Sequence, residues 1–60
     1  MITTEYPETE SKKIEAVTAL EAQGYEYVDD YSGTGYSGPE SRGWSRYSDG
    51  CNTVDLVNPK

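Results

Sequence analysis

Apolar and polar positions alternate over the first residues and then change to a helical spacing. Ile2, Thr4 and Tyr6 share one side of the alternating run, which predicts a short strand closed by Pro7. From about Glu8 to Gln23 the chain is rich in Ala, Glu, Lys and Leu, all good helix formers. At about 100° per residue, Ile14, Ala16, Val17 and Leu20 fall within an arc of about 160°, so residues 8–23 are expected to form an amphipathic helix. Thr9 or Ser11 suits its N-cap, and Glu8 and Glu10 suit its positive end. Gly24 stands where a left-handed residue closes a helix, and Tyr25 follows as the apolar contact of such an ending.

Tyr25 to Tyr31 reads as the next strand. Strict alternation puts Tyr25, Tyr27, Asp29 and Tyr31 on one side, and Glu26, Val28 and Asp30 on the other. Neither side is cleanly apolar. Residues 32–43 hold four of the six glycines and Pro39, which predicts a long loop. Residues 44–57 read as a hairpin, because two alternating runs flank Asp49-Gly50, the signature of a two-residue type I′ turn. That turn pairs Ser48 with Cys51, Tyr47 with Asn52 and Ser45 with Val54. It sets Tyr47, Val54 and Leu56 on one face, and Trp44, Arg46, Thr53 and Asp55 on the other. The tail Asn58–Lys60 is expected to fray. The pattern therefore predicts an α+β fold, a single small domain over residues 1–60. One helix lies across a three- or four-stranded antiparallel sheet, in the order β-α-β-β-β or α-β-β-β. Ile14, Val17, Leu20, Val54 and Leu56 are expected between the layers.

Composition makes that core thin. Ile, Leu and Val together number eight, so the six tyrosines and Trp44 must supply much of the buried area. A chain of this size buries only about 60% of its unfolded surface. Cys51 is the single cysteine, so no internal disulfide adds to stability. A homodimer is one expected source of further stability. The lone cysteine and the acidic first residues predict a reducing, cytoplasmic setting. No apolar run approaches the roughly 20 residues of a membrane span.

The net charge is −6, and it is uneven. Residues 1–40 hold nine acids against Lys12 and Lys13, whereas residues 41–60 hold Arg42, Arg46 and Lys60 against Asp49 and Asp55. Such a field repels nucleic acid and anionic membranes and attracts basic protein surfaces.

Candidate chemistry is sparse. The chain has no histidine, the commonest general base and metal ligand. Cys51 therefore lacks its usual activator. Gly33-Thr34-Gly35-Tyr36-Ser37-Gly38 repeats the glycine spacing of dinucleotide-binding turns, but Pro39 and Arg42-Gly43-Trp44 do not continue as the required helix. Asp29 to Glu40 has the length of a calcium loop, yet Tyr31, Gly33 and Thr34 occupy positions that need ligands and a glycine. The expectation is a non-enzymatic domain, without cofactor or metal, that binds a partner protein.

Two residue groups are candidates for that contact. Tyr31, Tyr36, Trp44 and Arg46 belong to the types most enriched at binding hot spots. Glu15, Glu21, Glu26, Asp29 and Asp30 are expected to line a negative surface that imitates nucleic-acid phosphates. In size and charge the chain is similar to small acidic inhibitors made by phages and mobile elements, although no motif carries a family. The expected function is inhibition of a nucleic-acid-binding protein by docking on its basic surface. One alternative is a carbohydrate or ligand module that stacks on Trp44, Tyr36 and Tyr47. Another is self-assembly through the tyrosine face.

Overall fold

Thr9 starts the helix. Its backbone is extended, and its hydroxyl accepts from the Lys12 amide at 3.1 Å, satisfying one donor that a helix N-terminus leaves free. In the computed structural model, which describes all sixty residues, α1 runs from Glu10 to Ala22. It closes as the glycine predicts. Gly24 takes a φ of +92°, its amide donates to the Glu21 carbonyl, and the Tyr25 amide donates to the Leu20 carbonyl at 3.0 Å. This crossed pair of bonds delivers Tyr25 onto the core.

Four strands complete the chain: β1 (Ile2–Glu5), β2 (Glu26–Tyr31), β3 (Trp44–Ser48) and β4 (Thr53–Val57). Their order across the sheet is β1-β4-β3-β2. The sheet is mixed, not antiparallel as expected, because β1 lies parallel to β4. Connectivity accounts for this. A helix that returns across the sheet sends β2 in the direction of β1. The 32–43 loop and the β3–β4 hairpin then each reverse the chain once, so β4 also runs with β1, and their adjacency makes a parallel pair.

Leu20, Tyr47, Val54 and Leu56 form the core between helix and sheet, with Ala16, Val17 and Tyr25 packed around them. Ile14 was expected there, yet it is 58% exposed. The helix turns Lys13, Ala16, Val17 and Leu20 toward the sheet, and Ile14 lies past the edge of that stripe. A bond from the Lys13 ammonium to the Asn58 side-chain oxygen, at 2.6 Å, holds this rotation.

The hairpin loop is longer than two residues. Ser48 pairs with Thr53, Tyr47 with Val54 and Ser45 with Leu56. A type I′ turn needs positive φ at both central residues, but only Gly50 adopts it. Asp49 instead accepts the Cys51 and Asn52 amides on Oδ1 at 2.9 and 2.7 Å, which closes a four-residue loop. The register moves by two positions from the expected one, and an even shift leaves every side chain on its expected face.

Two further segments depart from expectation. Residues 32–43 contain a short 3-10 helix, Gly38–Arg42, and fold back tightly. A Cβ on Gly33 would strike the Glu40 carbonyl and sit 2.8 Å from the Gly43 nitrogen, so only glycine fits. The tail does not fray at Asn58. Its amide donates to the Gly43 carbonyl at 2.9 Å, its side chain donates to the Arg42 carbonyl, and its own carbonyl accepts from Arg42 Nε at 2.7 Å.

Candidate functional site

The helix covers one face of the sheet; the opposite face has no α-helix over it and is bare along β2, while Asp55 and Val57 of β4 are buried on it. Strand pairing determines what stands on it. Trp44 lies opposite Tyr31 and Val57, and Arg46 lies opposite Asp29 and Asp55. The Tyr31 and Trp44 rings stack with centroids 5.5 Å apart, and Tyr36 meets Trp44 edge-on at 5.0 Å. The Arg46 guanidinium sits 5.0 Å from the centre of the Tyr31 ring. It also grips Asp55 with two bonds, Nε to Oδ1 at 2.8 Å and Nη2 to Oδ2 at 3.0 Å. The carboxylate beside it raises the affinity of Arg46 for its proton, so the guanidinium keeps its charge.

Beside this cluster is a cleft of about 190 Å³. Tyr36 and Trp44 wall it, and the buried Val57 contributes an apolar surface. Thr4, Glu40 and the Arg46–Asp55 pair supply polar edges. Tyr6, just beyond β1, fixes Glu40 by donating its hydroxyl to Oε1 at 2.5 Å. That bond, with the amide bond Glu40 accepts from its own backbone, lowers the pKa of the Glu40 carboxyl. The same bond raises the Tyr6 phenol. The indole N–H of Trp44 is shielded from solvent and has no acceptor. An unpaired buried donor of this kind costs about 1–3 kcal/mol.

The structure thus brings Tyr31, Tyr36, Trp44 and Arg46 into one group. It does not gather the acids. A bulge between Tyr27 and Asp29 breaks the alternation of β2, with Val28 as the extra residue. Tyr27 and Asp30 therefore point to the helix side, and Asp29 and Tyr31 to the bare side. Tyr27 packs edge-on against Tyr47 at 5.8 Å. Asp30 accepts from Ser45 Oγ at 2.8 Å, and that bond, with the nearby Tyr27 hydroxyl, lowers its pKa. Glu26 lies opposite Ser48 at the end of the bare face. Glu21 lies near Tyr47, whose phenol is raised by burial and by that charge. Glu15 is exposed and stands 4.0 Å from Lys12. Tyr47 is buried in the core, so it is not part of the aromatic platform expected with Trp44 and Tyr36.

Sequence reasoning missed Thr4, Tyr6, Glu40 and Val57 as site residues. Asp55 was legible through the face it shares with Arg46. Val57 was legible through the same alternation, two residues beyond Asp55. Thr4, Tyr6 and Glu40 meet only once β1 and the 3-10 helix have docked, and no local pattern announces that. No helix is long and apolar enough to cross a membrane. Comparison with protein-family models, with curated proteins and with solved structures found no match.

Proposed function

We propose that this protein acts by binding another protein, without turnover of a substrate, and that the bare sheet face is its contact surface. The observation that carries the reading is the mutual contact of Tyr31, Trp44, Tyr36 and Arg46 on that face. These residue types dominate hot spots. The stacking of Tyr31 on Trp44 fixes these two side chains before association, which lowers the ordering cost of binding.

The partner surface is basic. Glu26 and Asp29 rim the β2 side of the cluster, and a net charge of −6 steers a positive surface toward it. A nucleic-acid-binding protein presents such a surface, and its occupation here blocks nucleic acid. Asp30, Glu21 and Glu15 then contribute long-range attraction without contact. With a basic partner protein recovered by affinity capture through a salt gradient, Tyr31→Ala should weaken binding about thirtyfold, the equivalent of about 2 kcal/mol. Asp29→Lys should weaken it and flatten its salt dependence, whereas Glu15→Lys should change affinity less than about threefold. Titration calorimetry over a salt series reads all three. Full affinity in both Tyr31→Ala and Asp29→Lys would sink the proposal.

A further inference from the structure

We propose that the cleft between β1, β4, β3 and the 3-10 helix binds a single saccharide ring, a neutral ligand carrying adjacent hydroxyl groups. The inference goes beyond protein binding, although the cleft shares Tyr36, Trp44 and Arg46 with the proposed protein contact.

Size sets the first limit. About 190 Å³ is less than the roughly 300–1,000 Å³ of pockets for drug-sized ligands, so the cleft holds one ring. Hydrogen-bonding capacity sets the second. Trp44 Nε1 can only donate, and it has no acceptor. Glu40 can only accept, and its carboxylate has more lone pairs than the bonds from Tyr6 and its own backbone amide use, which leaves acceptor capacity for an occupant. Thr4 adds a hydroxyl that can do either. An occupant that satisfies both groups, the indole once it is uncovered, therefore accepts from Trp44 and donates to Glu40. Adjacent hydroxyls do both. An ammonium or guanidinium group has nothing to offer the indole. A phosphate has no donor for Glu40 and would approach two carboxylates.

Charge and shape agree with a neutral ring. Arg46 and Asp55 cancel each other at the edge of the cleft. Tyr36 and Trp44 supply π surfaces whose negative faces suit the C–H side of a sugar. A primary amide meets the same donor and acceptor pattern but has no such C–H face. The shielded indole becomes reachable when a neighbour moves, and Tyr36 is free to do so. It is 58% exposed, its hydroxyl has no partner in the protein, and it follows Gly35, which adopts a positive φ.

Trp44 is the sole tryptophan, so its indole N–H gives one resolved signal in a ¹⁵N-correlated NMR spectrum. A one-ring ligand binds in the millimolar range. Titration with glucose, galactose, mannose and N-acetylglucosamine should move that signal saturably for at least one of them. Tyr36→Ala and Glu40→Ala should abolish the movement. Glu15→Gln should retain it, and so should Asp29→Lys, which separates this site from the protein contact. No saturable movement with any of the four sugars overturns the proposal. Equal or larger movement with N-acetylglutamine amide or N-acetyllysine amide also overturns it, and assigns the cleft to a partner's side chain.

Discussion

Leu56 has no exposed surface and lies at the centre of the core with Leu20, Tyr47 and Val54. Its truncation to alanine should cost about 2–5 kcal/mol in urea unfolding, because so thin a layer has little with which to refill the void. Ile14→Ala should stay within about 0.5 kcal/mol of the parent, since Ile14 is exposed. Legibility divides at the same scale. Tyr47, Val54 and Leu56 could be placed on one face from alternation alone, and so could Trp44 with Arg46 on the other. Ile14 could not be rejected, because helical spacing gives an arc and the Lys13–Asn58 bond decides which part of it faces inward. Tyr6 and Glu40 could not be paired at all, since they meet only after strand and loop have packed.

Elements were easier to find than to align. The helix, its cap and its glycine ending follow from local chemistry, and all three stand within the residues where that chemistry places them. The parallel pair follows from counting reversals, but only when β1 is known to neighbour β4. The bulge in β2 left no sequence signal, and it alone puts Tyr27 on the opposite face from Asp29 and Tyr31. Val28 is the extra residue, so removing it leaves Tyr27, Asp29, Asp30 and Tyr31 facing the same partners in an unbroken ladder. A Val28 deletion should therefore fold and keep the aromatic near-ultraviolet circular dichroism of the parent. It should also self-associate more readily, because a regular edge strand is a better template than a bulged one. Loss of the aromatic signal would show that the bulge is needed for the fold.

Across the whole molecule, carboxylates and phenols set opposite limits on stability. Asp30, Glu40 and Asp49 have lowered pKa values, Asp30 through Ser45 and Tyr27, Glu40 through Tyr6, and Asp49 through the loop amides. A lowered folded pKa stabilises above the ordinary carboxylate value and is lost as pH falls through the folded one. Tyr6, Tyr27 and Tyr47 have raised values, from Glu40, Asp30 and burial respectively. A raised phenol stabilises below its ordinary value and is lost as pH rises through the folded one. Thermal unfolding should thus show a plateau between about pH 5 and pH 9, with decline on both sides. Glu40→Gln should soften the acid decline, which differential scanning calorimetry would reveal. Topology has a consequence in time as well. Ile2 pairs with Thr53, and the Thr53 amide donates to the Met1 carbonyl at 2.9 Å. During synthesis β1 emerges first and must wait for β4, the last of the four strands to be made. Until then Ile2 and its neighbours have no partner strand, and the cleft lacks the wall that carries Thr4. The site is therefore assembled only after β4 has been made, so a chain interrupted before Thr53 carries the tyrosines without the surface they form.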